Sequence, residues 1–204
     1  MPIGRRLELL KWADEKEGRY IVEDDYDSEF RYKGKPVPAL QGYDRQEKVI
    51  YLGTFSKSIA PAIRLSYMVL PGPLLKVYEK RYSFVNSTVS KVDQKIVKKF
   101  LEEGYYERHL NRMRAVYKGR HDVLLEELKP LRDICTVSGE HAGVHLLLTF
   151  ENGFTEKELI ARAEEADIKV YGLSQYCIRE KEYEKPTIPV SYTHLRAHET
   201  LRHL

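Results

Sequence analysis

The 204-residue sequence has little cysteine, no long apolar run and almost no excess of charge of one sign. Its two cysteines, Cys135 and Cys177, lack C-x-x-C or metal spacing, so we expect buried or half-buried thiols and no disulfide. The longest apolar stretches, such as residues 144–150, are far shorter than the roughly 20 residues that cross a bilayer. These absences argue against a disulfide scaffold and against a membrane-spanning protein.

The charge balance excludes further classes. Lys and Arg number 34 against 31 Asp and Glu, a net charge of +3, which favours neither nucleic acid nor a membrane surface as a direct partner. The first twelve residues mix charges with short apolar stretches, unlike a secretory signal. With 42% hydrophobic residues, the chain is expected to be a globular, cytoplasmic protein with a substantial core.

Helical and strand patterns alternate in the first half of the chain, which favours an α/β layer. Trp12 is expected in the core of this layer. The predicted elements are a helix over 5–17 and strands over 19–23, 49–52 and 65–70, the last closed by Pro71-Gly72-Pro73.

The second half is predicted to start with helices over 89–103 and 105–128 and to continue as a small α+β layout. In the latter, Thr155 is expected to cap a helix over 155–167, with Glu158 completing a capping box. Strands are expected over 134–138, 143–150 and 168–171. We therefore expect part of a large domain over 1–103, and a long interdomain helix with a small domain over 104–190.

The last stretch, residues 191–204, does not continue this pattern and resembles a translated adapter or vector sequence, so we expect a non-native tail. It contains three of the seven histidines. His194 and His198 are four residues apart, with His203 beyond, and zinc is the alternative interpretation. We expect no metal site.

Polar side chains follow two of the predicted strands directly. Glu23 ends the strand over 19–23, and Asp24, Asp25 and Tyr26 follow it within a longer acidic stretch. In open α/β sheets ligands bind at this end of the strands, so the cluster is a candidate site, although a solvated acidic loop has the same composition.

The second polar segment follows the strand over 49–52. Thr54, Ser56 and Arg64 supply hydroxyls and a guanidinium, the donors that suit a phosphate ester, and Gly53 lets the backbone approach closely. The sequence is not a Walker P-loop. Lys57 within this segment is either a counter-ion or a nucleophile.

Pyridoxal phosphate (PLP) chemistry uses these parts together. An amine holds the aldehyde, a carboxylate keeps the pyridine nitrogen protonated, a phenol lies near the 3-oxygen and a polar cup binds the phosphate. The residues that could supply these groups are Asp24, Tyr26, Thr54, Ser56, Lys57 and Arg64.

Residues 22–32 (VEDDYDSEFRY) and 51–65 (YLGTFSKSIAPAIRL) strongly resemble the aminotransferase-like part of the MocR/GabR transcriptional regulators. Glu103-Gly104-Tyr105, residues 109–114, Tyr117 and Arg120 also resemble the long interdomain helix of that family. The likeness extends over roughly residues 1–190. It implies a partial PLP-dependent transferase of fold type I, made of the C-terminal part of the large domain and the small α+β domain.

The resemblance also implies the role of each site residue. Lys57 would be the catalytic residue that forms the Schiff base with PLP and exchanges it with an amino compound. Asp24 would pair with the pyridine nitrogen, where Asp25 is the competing candidate, and Tyr26 would lie near the 3-oxygen. The phosphate would contact Thr54, Ser56 and Arg64.

Partners follow from the same resemblance. It implies a homodimer, an amino acid or amine as effector or substrate, and DNA binding only through an N-terminal winged helix that this chain does not contain. An arginine for the substrate carboxylate is expected after Lys185-Pro186 and is not found there, so the chain is expected to be truncated at both ends. The alternatives are a free-standing aminotransferase that converts an amino acid to a 2-oxoacid, and an inactive fragment.

Overall fold

The computed structural model describes residues 1, 3–34, 37–178 and 185–192. The chain forms two compact units. Met1–Ser28 and Lys35–Asn111 make up the first unit, and Glu29–Gly34 and Arg112–Leu204 make up the second. The boundary between the two units, at Asn111 and Arg112, falls within a long helix. The domain boundary expected between residues 103 and 104 stays a prediction from the sequence.

The first unit is built on a mixed three-stranded sheet. Strand β1 runs parallel to β2, and β2 runs antiparallel to β3. The elements of this unit are α1 (Ile3–Asp14), β1 (Ile21–Asp25), β2 (Val49–Thr54), β3 (Ser66–Val69), α2 (Gly72–Tyr82), α3 (Lys91–Glu102) and the start of α4 (Tyr105–Glu127).

The core of the first unit is small. Leu10 of α1, Leu40 and Val49 are buried together. Glu23 of β1 ties the loop after it to the sheet, because its carboxylate accepts hydrogen bonds from the backbone N–H groups of Leu40 (2.6 Å) and Gln41 (2.9 Å). The prediction for Trp12 was wrong: its side chain is 47% exposed. The guanidinium of a neighbouring arginine lies 4.6 Å from the centre of its ring, a contact that does not require burial.

The second unit packs an antiparallel sheet against the later part of α4. Its sheet has the order β4-β5-β6. The segment 29–34 joins this unit through a β-bridge between Arg31 and Ala142 and a hydrogen bond from the Tyr32 N–H to the His141 carbonyl. The elements after α4 are β4 (Cys135–Ser138), β5 (His145–Phe150), α5 (Glu156–Glu165) and β6 (Thr187–Ser191).

A single cluster of buried side chains forms the core of the second unit. Its members come from α4 and the residue after it, from β5 and from the residue after β6, and they are Leu124, Leu128, Leu146, Leu148 and Tyr192. Of the expected tail, Ser191 therefore ends β6 and Tyr192 lies in the core. Residues 193–204, with His194, His198 and His203, lie outside the described residues.

Most predicted elements are found, and two departures have clear causes. The strand expected over 168–171 is absent, because the Ile168 N–H bonds back to the Ala163 carbonyl (2.8 Å) and Asp167 adopts a left-handed φ of 60°, so the chain turns there. Helix α2 was missed because Pro71 and Pro73 suggested a loop. Proline is tolerated in the first turn of a helix, where its missing N–H would have no partner.

Several smaller predictions are settled by the described residues. Thr155 and Glu158 form the predicted capping box at the start of α5. Cys135 and Cys177 are free thiols, as predicted, the first buried and the second half-buried. None of the helices in the described ranges is both long enough and apolar enough to span a membrane.

Candidate cofactor site

The register of β1 and β2 decides which polar side chains share a face of the sheet. Asp24 pairs with Leu52 and Asp25 with Gly53, and side chains alternate between faces along each strand. Asp24 therefore lies on the same face as Thr54, two residues beyond Leu52. Asp25 lies on the opposite face. The parallel pairing brings the C-terminal ends of both strands to one edge of the sheet.

Asp25 is fully occupied by neighbouring donors. Its Oδ2 accepts hydrogen bonds from the Tyr51 hydroxyl (2.9 Å) and the Ser28 hydroxyl (2.7 Å), and its Oδ1 accepts one from the Ser28 N–H (3.3 Å). Burial, followed by the hydrogen bond to Asp25, raises the pKa of Tyr51 well above its ordinary value. The phenol is therefore held in the protonated form and donates its hydrogen to Asp25.

Asp24 has a different environment from its neighbour. Its side chain is exposed, and within the described residues it makes no hydrogen bond or ion pair. Tyr26, two residues on, is 41% exposed. Burial first, and then the charges of Asp27 and Asp24, raise the pKa of Tyr26, so its phenol is held in the protonated form. Asp24 is thus the carboxylate of this pair that is open to a ligand.

The segment after β2 folds back on the start of β3. The Thr54 hydroxyl accepts a hydrogen bond from the Ser56 N–H (3.1 Å) and donates one to the Leu65 carbonyl (3.3 Å). The Phe55 N–H also donates to Leu65 (2.9 Å). Lys57 is exposed in the turn that follows.

Gly53 and Arg64 border this segment and each has an unusual feature. A Cβ on Gly53 would lie 2.3 Å from Cζ of Tyr67, so glycine is required while that ring stays in place. Arg64 follows a short 3-10 helix, Pro61–Ile63, and adopts a left-handed conformation with φ 46°. This conformation costs a non-glycine residue about 1–2 kcal/mol, and such strain is typical of functional sites.

The donor set fits an anionic, aromatic aldehyde cofactor. Two hydroxyls, a guanidinium, an amine, a carboxylate and a phenol come from one unit and from the segments around one edge of its sheet. Ser58 adds a buried hydroxyl that has no hydrogen-bond partner within the described residues. The sequence analysis missed the residues behind the site, Tyr51 and Tyr67. Their positions beside Asp25 follow from the strand register, for which the sequence carries no local signal.

Comparison with known families shows the class of protein to which this fold belongs. Residues 6–179 match the family described as aminotransferase class I and II. The chain belongs to this family.

Its relatives in sequence include transcriptional regulators. An uncharacterised HTH-type transcriptional regulator of Bacillus subtilis, YdeL, is 45% identical over 175 residues, which make up 85% of this chain and 38% of that protein. A probable rhizopine catabolism regulatory protein of Rhizobium meliloti, MocR, is 38% identical over 164 residues, 80% of this chain and 33% of the relative. The resemblance to MocR-type regulators is confirmed, and the chain spans well under half of these relatives.

The fold is shared with solved aminotransferases. One of them is the kynurenine aminotransferase of Pyrococcus horikoshii, solved in complex with PMP. It superposes with a TM-score of 0.85 at 27% sequence identity, and the match covers 96% of this chain and 48% of the enzyme's chain. The predicted α/β class and the partial type I fold are confirmed.

Proposed function

We propose that this chain is the PLP-binding part of a MocR/GabR-type regulator, with Lys57 as the amine that binds the cofactor covalently. When bound, PLP supplies an aldehyde that accepts an amine and a ring that withdraws electrons. A small amino compound, an amino acid or an amine, would then compete with Lys57 for that aldehyde. Ligand exchange of this kind can shift a conformational equilibrium, which is how such a site would report to a DNA-binding domain.

Each residue of the site has a role in this proposal. Asp24 would keep the pyridine nitrogen protonated, and Tyr26, held as a phenol, would donate to the 3-oxygen. The phosphate would be bound by the exposed guanidinium of Arg64 and by the hydroxyl and backbone donors of the segment after β2, at Thr54 and Ser56.

The observation that carries the proposal is the register of β1 and β2. It sets Asp24 and Thr54 on one face at adjoining strand ends, and Thr54 precedes Lys57 by three residues in the chain. Asp25 lies on the other face, where it is bonded to Tyr51 and Ser28. This is the separation of roles that the cofactor requires. It also favours Asp24 over Asp25 as the partner of the pyridine nitrogen.

A free-standing aminotransferase is the second candidate, favoured by the high TM-score to the Pyrococcus horikoshii enzyme. Cytoplasmic location, homodimer formation and DNA binding through a separate N-terminal domain are parts of the regulator proposal. The two candidates differ in turnover: an aminotransferase converts an amino acid and a 2-oxoacid repeatedly, whereas a sensor exchanges its amine without net conversion.

The experiment is borohydride reduction of the chain incubated with PLP, followed by mass spectrometry of its peptides. We expect a phosphopyridoxyl adduct on the peptide that contains Lys57, and its loss in Lys57→Ala. Lys76→Ala, which removes an exposed lysine from α2, is the matched control and should retain the adduct. An adduct that persists in Lys57→Ala would show that another amine binds the cofactor, and a chain that never forms one would be the inactive fragment.

A further inference from the structure

Behind the candidate site, on the opposite face of the sheet, four side chains form a polar and aromatic cluster, which we call the reverse-face clamp. The clamp consists of Asp25, Ser28, Tyr51 and Tyr67. Tyr51 of β2 donates to Asp25 of β1, so one side-chain hydrogen bond links the two strands at their C-terminal ends. Because Asp24 directly precedes Asp25, this bond lies one residue from the carboxylate of the site.

Tyr67 completes the clamp from β3. It pairs with Gly53 in the register of β2 and β3, its ring lies where a Cβ of Gly53 would be, and the centre of the ring is 6.1 Å from that of Tyr51. Its hydroxyl also contributes to the raised pKa of Tyr51, after burial and the contacts with Asp25. The clamp therefore includes a residue from each of the three strands of this sheet.

The geometry points to Tyr51 as a positioning residue. The strand register sets Asp24 on the face of Thr54, and the hydrogen bond from the Tyr51 hydroxyl to Asp25 holds the end of β1 against β2. That bond would fix the exact position of the Asp24 carboxylate where the cofactor ring would bind. The inference rests on the proposed function and deepens it. Tyr51 would not contact the ligand and would act through Asp25. Without its hydroxyl, Asp25 loses the cross-strand donor that holds the end of β1 in place.

The test compares the Tyr51→Phe chain with the wild type in three measurements. These are the dissociation constant for PLP, the pH midpoint of the visible absorption band of the bound cofactor, and the thermal unfolding midpoint without cofactor. Loss of one hydrogen bond to a charged group weakens binding by about tenfold if the whole effect reaches the site. We expect a weakening of that order and a shifted pH midpoint. Tyr78→Phe removes an exposed hydroxyl from α2 and should change neither.

Two aspartate variants separate the positioning role from a direct one. Asp25→Asn keeps one oxygen that can accept from Tyr51 but loses the charge that strengthens this bond, so the pH midpoint of its absorption band should shift only slightly. Asp24→Asn removes the charge opposite the pyridine nitrogen and should shift that titration strongly. If Asp25→Asn instead reproduces the shift, Asp25 contacts the cofactor and the inference is wrong.

The remaining outcomes are also decisive. A Tyr51→Phe chain that unfolds at a lower temperature but binds PLP with wild-type affinity and pH midpoint would show that the clamp serves stability alone. If the wild type and Tyr78→Phe both fail to bind PLP, the proposed function fails and this inference fails with it. If the wild type binds PLP and the Tyr51→Phe chain has the same affinity and pH midpoint, only the inference about Tyr51 is overturned.

Discussion

The two units of the chain stabilise their sheets in different ways. In the second unit, alternate residues of β5 are buried against α4, including Leu146 at 0% exposure. In the first unit all of β3 is exposed, with Met68 at 50%, and α2 buries no residue. The unit with a continuous core has no part of the candidate site, whereas the unit with the site relies on strand register and hydrogen bonds between strands. Precise placement of polar groups here does not depend on a large apolar core.

The largest expected effect tests this contrast directly. Leu146→Ala should lower the free energy of unfolding by about 2–5 kcal/mol, since it leaves a cavity in the core of the second unit. Met68→Ala removes a side chain of similar size from the exposed face of β3 and should cost less than about 0.5 kcal/mol. Chemical denaturation of both variants measures the difference. Equal losses would mean that β3 is covered in solution.

The helix N-caps give a smaller, matched comparison. The Thr155 hydroxyl accepts a hydrogen bond from the Glu158 N–H in a complete capping box in the second unit, and the Ser90 hydroxyl accepts one from the Val92 N–H at the start of α3 in the first. Thr155→Ala should cost about 1 kcal/mol. Ser90→Ala breaks one hydrogen bond, whereas Thr155→Ala breaks two, the bond that the hydroxyl accepts from the Glu158 N–H and the bond that it donates to the Glu158 carboxylate. The cost of Ser90→Ala should therefore be smaller. Thermal unfolding of both would settle the order, and a larger loss in Ser90→Ala would contradict it.

The smallest effect concerns pH. Hydrogen bonds from the backbone and hydroxyl of Thr155 lower the pKa of Glu158 below its ordinary value near 4.5. The ionised carboxylate therefore stabilises the folded state above that value, and the contribution is lost as the pH falls through the lowered pKa. Glu158→Gln keeps the capping geometry but cannot titrate, so the stability of this variant should vary less with pH below about 5. The measurement is acid denaturation of the wild type and of Glu158→Gln. If the two stability curves run parallel below that pH, Glu158 makes no such contribution.

The sequence predicted best where one local rule decides the structure. The period of α4, the capping box at Thr155 and the strands over β2 and β5 each follow from neighbouring residues. The strand predicted over 168–171 is not formed, and helix α2 was not predicted. Short apolar runs and closely spaced prolines are each compatible with more than one local structure. The roles of Asp24 and Asp25 cannot be separated from the sequence alone. Adjacent residues differ only in the face they occupy, and the face depends on pairing with β2, where Leu52 is the partner of Asp24.

The segment Glu29–Gly34 gives the molecule an unusual connectivity. It belongs to the second unit, although the residues before it and after it belong to the first. Neither unit is therefore a continuous stretch of chain, and no single proteolytic cut can release one of them whole. A cleavage within α4 would leave Phe30, which is fully buried, attached to the wrong piece. During synthesis the first unit can also form its sheet before the partners of these six residues, in α4 and at residues 141–143, have been made.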